Sequence, residues 1–203
     1  MEVADAGGPG ALTIRSVAHG LGVKPMALYH HVRNKEEILD GLLDLVFSEI
    51  ELPGYDAPWR IEVARQAGSA RRVLRAHPWA IVLMQTSTSP GPATLRHHDA
   101  MIGVLRAAGF SVRDTAHAYA LLDSYVFGFA LSEAALPING PDTVAQTATA
   151  MIERHPLDEY PHLLEFSIQH VLRADYDFGG EFDFGLEVLL DGLARLLAQE
   201  GRT

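Results

Sequence analysis

The sequence predicts an all-α protein, and three observations carry that prediction. Apolar residues recur at spacings of three and four along most of the 203 residues and rarely at two. The sharpest breakers, GGPG at Gly7 to Gly10 and SPGP at Ser89 to Pro92, separate such stretches and read as turns between helices. Hydrophobic residues make up 48% of the chain and charged residues 21%, the balance of a soluble globular protein with a full core. The longest apolar runs, such as Trp79 to Met84, fall far short of the roughly 20 residues a membrane-spanning helix needs. The opening MEVADAGGPG lacks the basic and apolar regions of a secretory signal, so a cytoplasmic protein is expected. With no cysteine there are no disulfides, thiolate metal sites or cysteine nucleophiles.

The first predicted helix runs from Thr13 to Leu21, placing Ile14, Val17, Ala18 and Leu21 on one face. Gly22 supplies the left-handed position that ends it. A second, about two turns long, opens at Pro25, whose fixed φ suits a first helical position, and buries Leu28 and Val32. Asn34 and Glu37 have the spacing of a capping box and open a third helix carrying Ile38, Leu42, Leu45, Val46 and Ile50. The breaker LPGYDAP then divides a first domain, residues 1–50, from a second, 51–203. Further helices are predicted over Trp59 to His77, Pro78 to Gln85, Ala93 to Ala108, Arg113 to Leu136, Thr143 to Arg154 (weakly) and Asp183 to Glu200. The last carries a broad stripe from Phe182 to Leu197, with Gly185 and Gly192 where a neighbour could approach. Its width calls for partner helices, and Leu189 and Leu193 are expected to face a second copy of the chain.

The formal net charge is −10, which at first argues against a nucleic-acid partner. The distribution reverses the argument. From Ala11 to Lys35 the chain carries Arg15, Lys24, Arg33 and Lys35, while all 26 acidic residues lie outside that stretch. A short helix, a tight turn at Gly22 to Lys24 and a second short helix make a helix-turn-helix, whose second helix can enter a DNA major groove. With Leu28 and Val32 turned inward, Pro25, Met26, Ala27, Tyr29 and His30 face out, where an apolar side chain is poor solvent surface but can touch thymine methyls and base edges. Thr13, Tyr29, His30 and His31 can reach phosphate oxygens, and Lys35 sits in the first turn of the next helix, where an anion is favoured. Arg15 is the long forked donor suited to guanine O6 and N7.

Taken together, LTIRSVAHGLGVKPMALYHHVRNKEEILDGLLD resembles the DNA-binding region of the TetR family of bacterial one-component repressors. HPWAIVLM, LRAAGFS and FDFGLEVLLDGL are similar to the C-terminal domain of its tetracycline-repressor branch. The resemblance implies a homodimer that binds a palindromic operator and lets go when a small molecule enters the C-terminal core. It places Arg15, Pro25, Met26 and Tyr29 toward bases and Thr13, His31 and Lys35 toward phosphates. It also makes Gln66, Ala70, Met84 and Met101 pocket residues. Two departures stand out. Only Glu2 to Ala6 precede GGPG, so the helix that family members carry ahead of the helix-turn-helix is nearly missing. Met84 and Met101 stand where the tetracycline repressor has a metal-holding histidine and a drug-contacting glutamine, so a mostly apolar effector that needs no metal is expected.

Asp123 and Ser124 interrupt the apolar run AYALLDSYVFGFAL, and a helix that apolar should be buried, so they need partners. Either they form a hydrogen-bonded interface pair or, with Phe127 beside them, they meet a ligand. His97, His98 and Asp99, and separately His155 and His162, invite a metal reading. Adjacent helix positions point roughly 100° apart, however, and no His-x-x-x-His spacing occurs near them, so no metal or other cofactor is expected. No Ser-His-Asp order, phosphate loop or close carboxylate pair stands out, so no enzyme is expected. The reading is a DNA-binding regulator, a repressor released by a small apolar effector. The alternative is a dimeric small-molecule-binding protein whose truncated DNA-binding half is inactive.

Overall fold

The computed structural model describes residues 1–84, 87, 89–136, 147, 149–150, 154, 159–173 and 175–200. The regular structure of these residues is helical. Helix α1, Glu2–Ala11, extends beyond the few residues expected to remain of the first helix, and the break expected at GGPG falls inside it, where two helical pieces meet. Gly8, at φ 66° and ψ −177°, kinks it, and Pro9 follows inside the helix. Ala4 and the following Leu12 are buried, Val3 reaches Gly20, and the helix packs on α2, Ile14–Gly20, and on α6, Pro78–Met84. Thr13 caps α2 by accepting the Ser16 N–H at 3.0 Å, while the Ser16 hydroxyl accepts the Thr13 N–H at 2.8 Å.

Gly22 takes the expected left-handed conformation, φ 65°. Helix α3 is one regular turn, Pro25–Leu28, shorter than expected, and turn bonds from the His31 and Val32 amides to the Leu28 carbonyl continue it. Leu28 is buried beneath it, but Leu21 is 63% exposed and leaves the inward face to Ala18, Val17 and Ile14. Helix α4 spans Lys35–Glu49. Asn34 accepts the Glu37 N–H at 2.9 Å, and the Glu37 carboxylate reaches back to the Arg33 N–H, one residue earlier than a regular capping box. Leu42, Leu43, Val46 and Phe47 are buried, whereas Leu45, expected inside, faces out.

The body consists of α5, Trp59–Ala76, α6, α7, Pro92–Ala107, α8, Val112–Ala135, α9, Pro161–Phe166, with a π turn Ser167–Val171, and α10, Phe178–Glu200. The weak helix expected over Thr143 to Arg154, and His155 with it, lies largely or wholly outside the described residues. Helix α8 runs through the centre, packed by α5, α6, α7 and α10. Arg71 of α5 ties three of these together. Its guanidinium donates two bonds to Glu133 of α8, at 2.7 and 3.0 Å, and one to the Gly179 carbonyl of α10 at 3.0 Å, and it lies over the Phe129 and Phe182 rings.

Helix α10 keeps its stripe but turns it inward. Phe182, Leu186, Leu190 and Leu193 are buried in the chain's own core, so Leu193 is no candidate for a contact with a second copy. A Cβ at Gly185 would collide with the Tyr125 ring and hydroxyl, so the neighbour expected there is α8; at Gly192 nothing approaches. The exposed large apolar residues of α10 are Phe184, 71%, and Val188, 52%, one turn apart on the other face.

Candidate functional site

On the outer face of the α2–α3 unit, Thr13, Arg15, Lys24, Pro25, Met26, Tyr29, His30 and His31 are exposed, and Lys35 is half-exposed at the start of α4. Met26 and Tyr29 stand out at 71% and 53%, a cost in water that a docking surface recovers. The arginines engaged by carboxylates (Arg60, Arg65, Arg71, Arg72, Arg75 and Arg173) lie in the body, leaving Arg15 outside the ion pairs of the described residues.

A cavity of about 600 Å³ opens where α4, α6, α7 and α8 meet. Its apolar wall includes Leu43 and Phe47 of α4, Ile81 and Met84 of α6, and Phe127 and Leu131 of α8. Its polar wall includes Asp40, Thr94, His98, Asp123 and Ser124. Of the pocket residues expected from sequence, Met84, Asp123 and Phe127 therefore share this cavity. Gln66, Ala70 and Met101 instead border a void of about 20 Å³, which Asp123 and Phe127 also border, too small for a ligand. Sequence reasoning missed Asp40, Phe47 and His98. Phe47 reads as one more core position of its helix, and only the meeting of four helices makes it a wall.

Asp123 lies beside the Tyr119 hydroxyl, one turn earlier on α8, and that hydroxyl is hydrogen-bonded to His98 Nδ1. The Tyr-x-x-x-Asp spacing was the available signal for this pair. Burial pushes the Asp123 carboxyl up to about 6, against the Tyr119 hydrogen bond, and lowers His98. His97 turns the other way, its Nε2 on Gln66, and burial, with His98 beside it, drives it down to about 4, so it is neutral.

Three contacts join the body to the N-terminal helices, two of them at the cavity rim. Asp44 of α4 accepts the Ala93 N–H at 3.2 Å, the Thr94 N–H at 2.8 Å and the Thr94 hydroxyl at 3.0 Å, capping the start of α7. A Cβ at Gly91 would collide with the Asp44 carboxyl group, so only glycine admits this approach. The Ser87 hydroxyl donates to Asp40 at 2.8 Å. Asp5 of α1 accepts the indole N–H of Trp79 and bonds His77, both at 2.7 Å, while the other His77 nitrogen meets Glu49 at 3.2 Å. One histidine thus joins α1, the end of α4 and the start of α6.

Residues 1–42 match the family described as bacterial regulatory proteins, tetR family, and residues 52–197 match the tetracyclin repressor-like, C-terminal domain. A helix-turn-helix-type transcriptional regulator of Saccharopolyspora erythraea is 33% identical over 96% of this chain and 80% of its own length. The class A tetracycline repressor protein from transposon 1721 of Escherichia coli is 32% identical over 93% of this chain and 83% of its own. Among solved structures, the Streptomyces coelicolor protein ActR in complex with actinorhodin superposes with a TM-score of 0.78 at 25% identity, covering 97% of this chain and 93% of that one.

Proposed function

The chain belongs to the TetR family of bacterial regulatory proteins, and from that premise we propose that it is a repressor that leaves its operator when a small molecule fills the α4–α8 cavity. It is a ligand-responsive DNA-binding regulator, with a DNA-reading unit to about Ile50 and an effector-binding, dimerising body beyond it. One observation carries the reading: α4 begins at the DNA-reading unit, with Lys35, and walls the cavity, with Asp40, Leu43 and Phe47. The repressor name of the Escherichia coli relative and the small molecule held by ActR support it.

The bonds of Asp44 and Asp40 give the cavity rim a grip on α4. A ligand that spreads the rim tilts α4 and changes the distance between the recognition helices of two protomers, which must match half-sites roughly 34 to 36 Å apart or a multiple of it. Turning an operator-competent population from 99:1 to 1:99 takes a preference of about 5.5 kcal/mol for the released state, within reach of a drug-sized molecule buried in a cavity of this size.

Salt separates the two kinds of DNA contact. Lys35→Ala is expected to weaken binding to all sequences and to reduce the salt slope by about one unit, whereas Arg15→Ala flattens sequence preference. Fluorescence anisotropy on operator and scrambled duplexes across a salt series measures both, and an unchanged slope for Lys35→Ala overturns the docking.

The dimer seam is proposed along Phe184 and Val188. Val188→Glu is expected to give a folded monomer by light scattering, since a carboxylate on this face leaves the chain's own core intact but cannot be buried against a second copy. Leu193→Glu is expected to unfold the chain instead. A Val188→Glu dimer would move the seam elsewhere.

A further inference from the structure

We propose that the effector is a cation, an aromatic molecule bearing a protonated amine, held in the cavity by Asp123 with Asp40 at the other polar wall. The inference rests on the reading of this cavity as the effector site. Among the described residues that line it there are these two carboxylates and no lysine or arginine. Asp40 accepts a serine hydroxyl, and Asp123 lies beside a tyrosine hydroxyl. Neither neighbour supplies positive charge, and the partial withdrawal of Asp123 from water without a cation is a cost that a ligand's ammonium recovers.

The polar wall sharpens the choice. The carboxylates of Asp123 and Asp40 offer acceptors and negative charge, and His98, lowered by burial, adds no positive charge beside them. A ligand that brings donors and positive charge matches them, while a carboxylate or phenolate ligand meets two like charges. The upward displacement of the Asp123 carboxyl shows the same imbalance and still leaves it largely ionised above pH 7. The Phe47 and Phe127 rings, centroids 6.5 Å apart, offer the ligand's aromatic part an apolar wall.

The test uses three matched probes on the full chain at pH 7.5: biphenyl-4-methylamine, biphenyl-4-methanol and biphenyl-4-carboxylate, by calorimetric titration. The amine is expected to bind about thirtyfold more tightly than the alcohol, and the carboxylate most weakly. Asp123→Asn, which keeps an acceptor for Tyr119, should bring the amine to the level of the alcohol, and Asp40→Asn should do so in part. Equal binding of amine and alcohol, stronger binding of the carboxylate, binding of none of the three, or an unchanged amine-to-alcohol ratio in Asp123→Asn overturns the proposal. A mobility shift of the ligand-free protein on DNA from upstream of its gene runs alongside. Failure there sinks the regulatory reading, whereas a normal shift without amine preference sinks only the cationic effector.

Discussion

Arg71→Ala is expected to cost about 3 kcal/mol of stability, the low end of the range for breaking a buried ion pair, because both partners are slightly exposed. The substitution removes two bonds to Glu133, the bond to the Gly179 carbonyl and the contact with two phenyl rings, and it leaves a carboxylate in a half-buried site. Arg71→Lys should recover only part of the loss, since an ammonium cannot make the forked bond. Urea unfolding measures both. The effect reaches function through α8, which Arg71 holds against α5 and α10 and which carries Asp123 and Phe127 into the cavity. A loss below about 1 kcal/mol would mean that the pair contributes no more than an exposed one.

Asp44→Ala is expected to cost about 2 kcal/mol and, more tellingly, to make operator binding insensitive to cavity ligands. The variant leaves two backbone amides at the start of α7 without their cap and cuts the firmest bond between rim and α4. Gly91→Ala should reproduce it, because the added methyl takes the space of the Asp44 carboxylate. Burial alone would raise the Asp44 carboxyl, but the bonds from Thr94 and Ala93 outweigh it and hold the carboxyl below its ordinary value of 3.8. The sign follows. Its stabilisation is present above pH 3.8 and is lost as pH falls through the lowered value, so wild type and Asp44→Ala should converge in acid. Thermal melts of both between pH 3 and 7 check this, and a constant gap down to pH 3 would show that charge plays no part.

Helices α5 to α8 were legible almost to the residue because their apolar spacing is regular and their ends are marked by proline, glycine or serine. Helix α1 was not, since GGPG has the composition of a break. Gly8 absorbs the kink by its positive φ, and proline is tolerated just after it, where the helix restarts. Leu21 and Leu45 follow the helical period yet face out, because periodicity reports which residues share a face and not what covers it. Asp123 could be read as a polar residue owing its place to a partner. His98, Asp40 and Phe47 gain their roles only from distant helices converging, which no local spacing encodes. Gln66, Ala70 and Met101, assigned through family resemblance, sit one layer behind the cavity, where the wall has closed around a much smaller void.

The central claim is that cavity occupancy sets the distance between two recognition helices through α4. The chain has no cysteine, so His19→Cys on the exposed side of α2 accepts a single spin label per protomer. Gly128→Trp stands in for a ligand, because Gly128 lines the cavity and a Cβ there meets open space. Dipolar spectroscopy on the labelled protein, in the proposed dimer, should give one distance distribution for the parent protein, unchanged by operator binding. A displaced distribution should appear in Gly128→Trp, together with loss of operator affinity. Operator affinity lost at an unchanged distance would contradict the account.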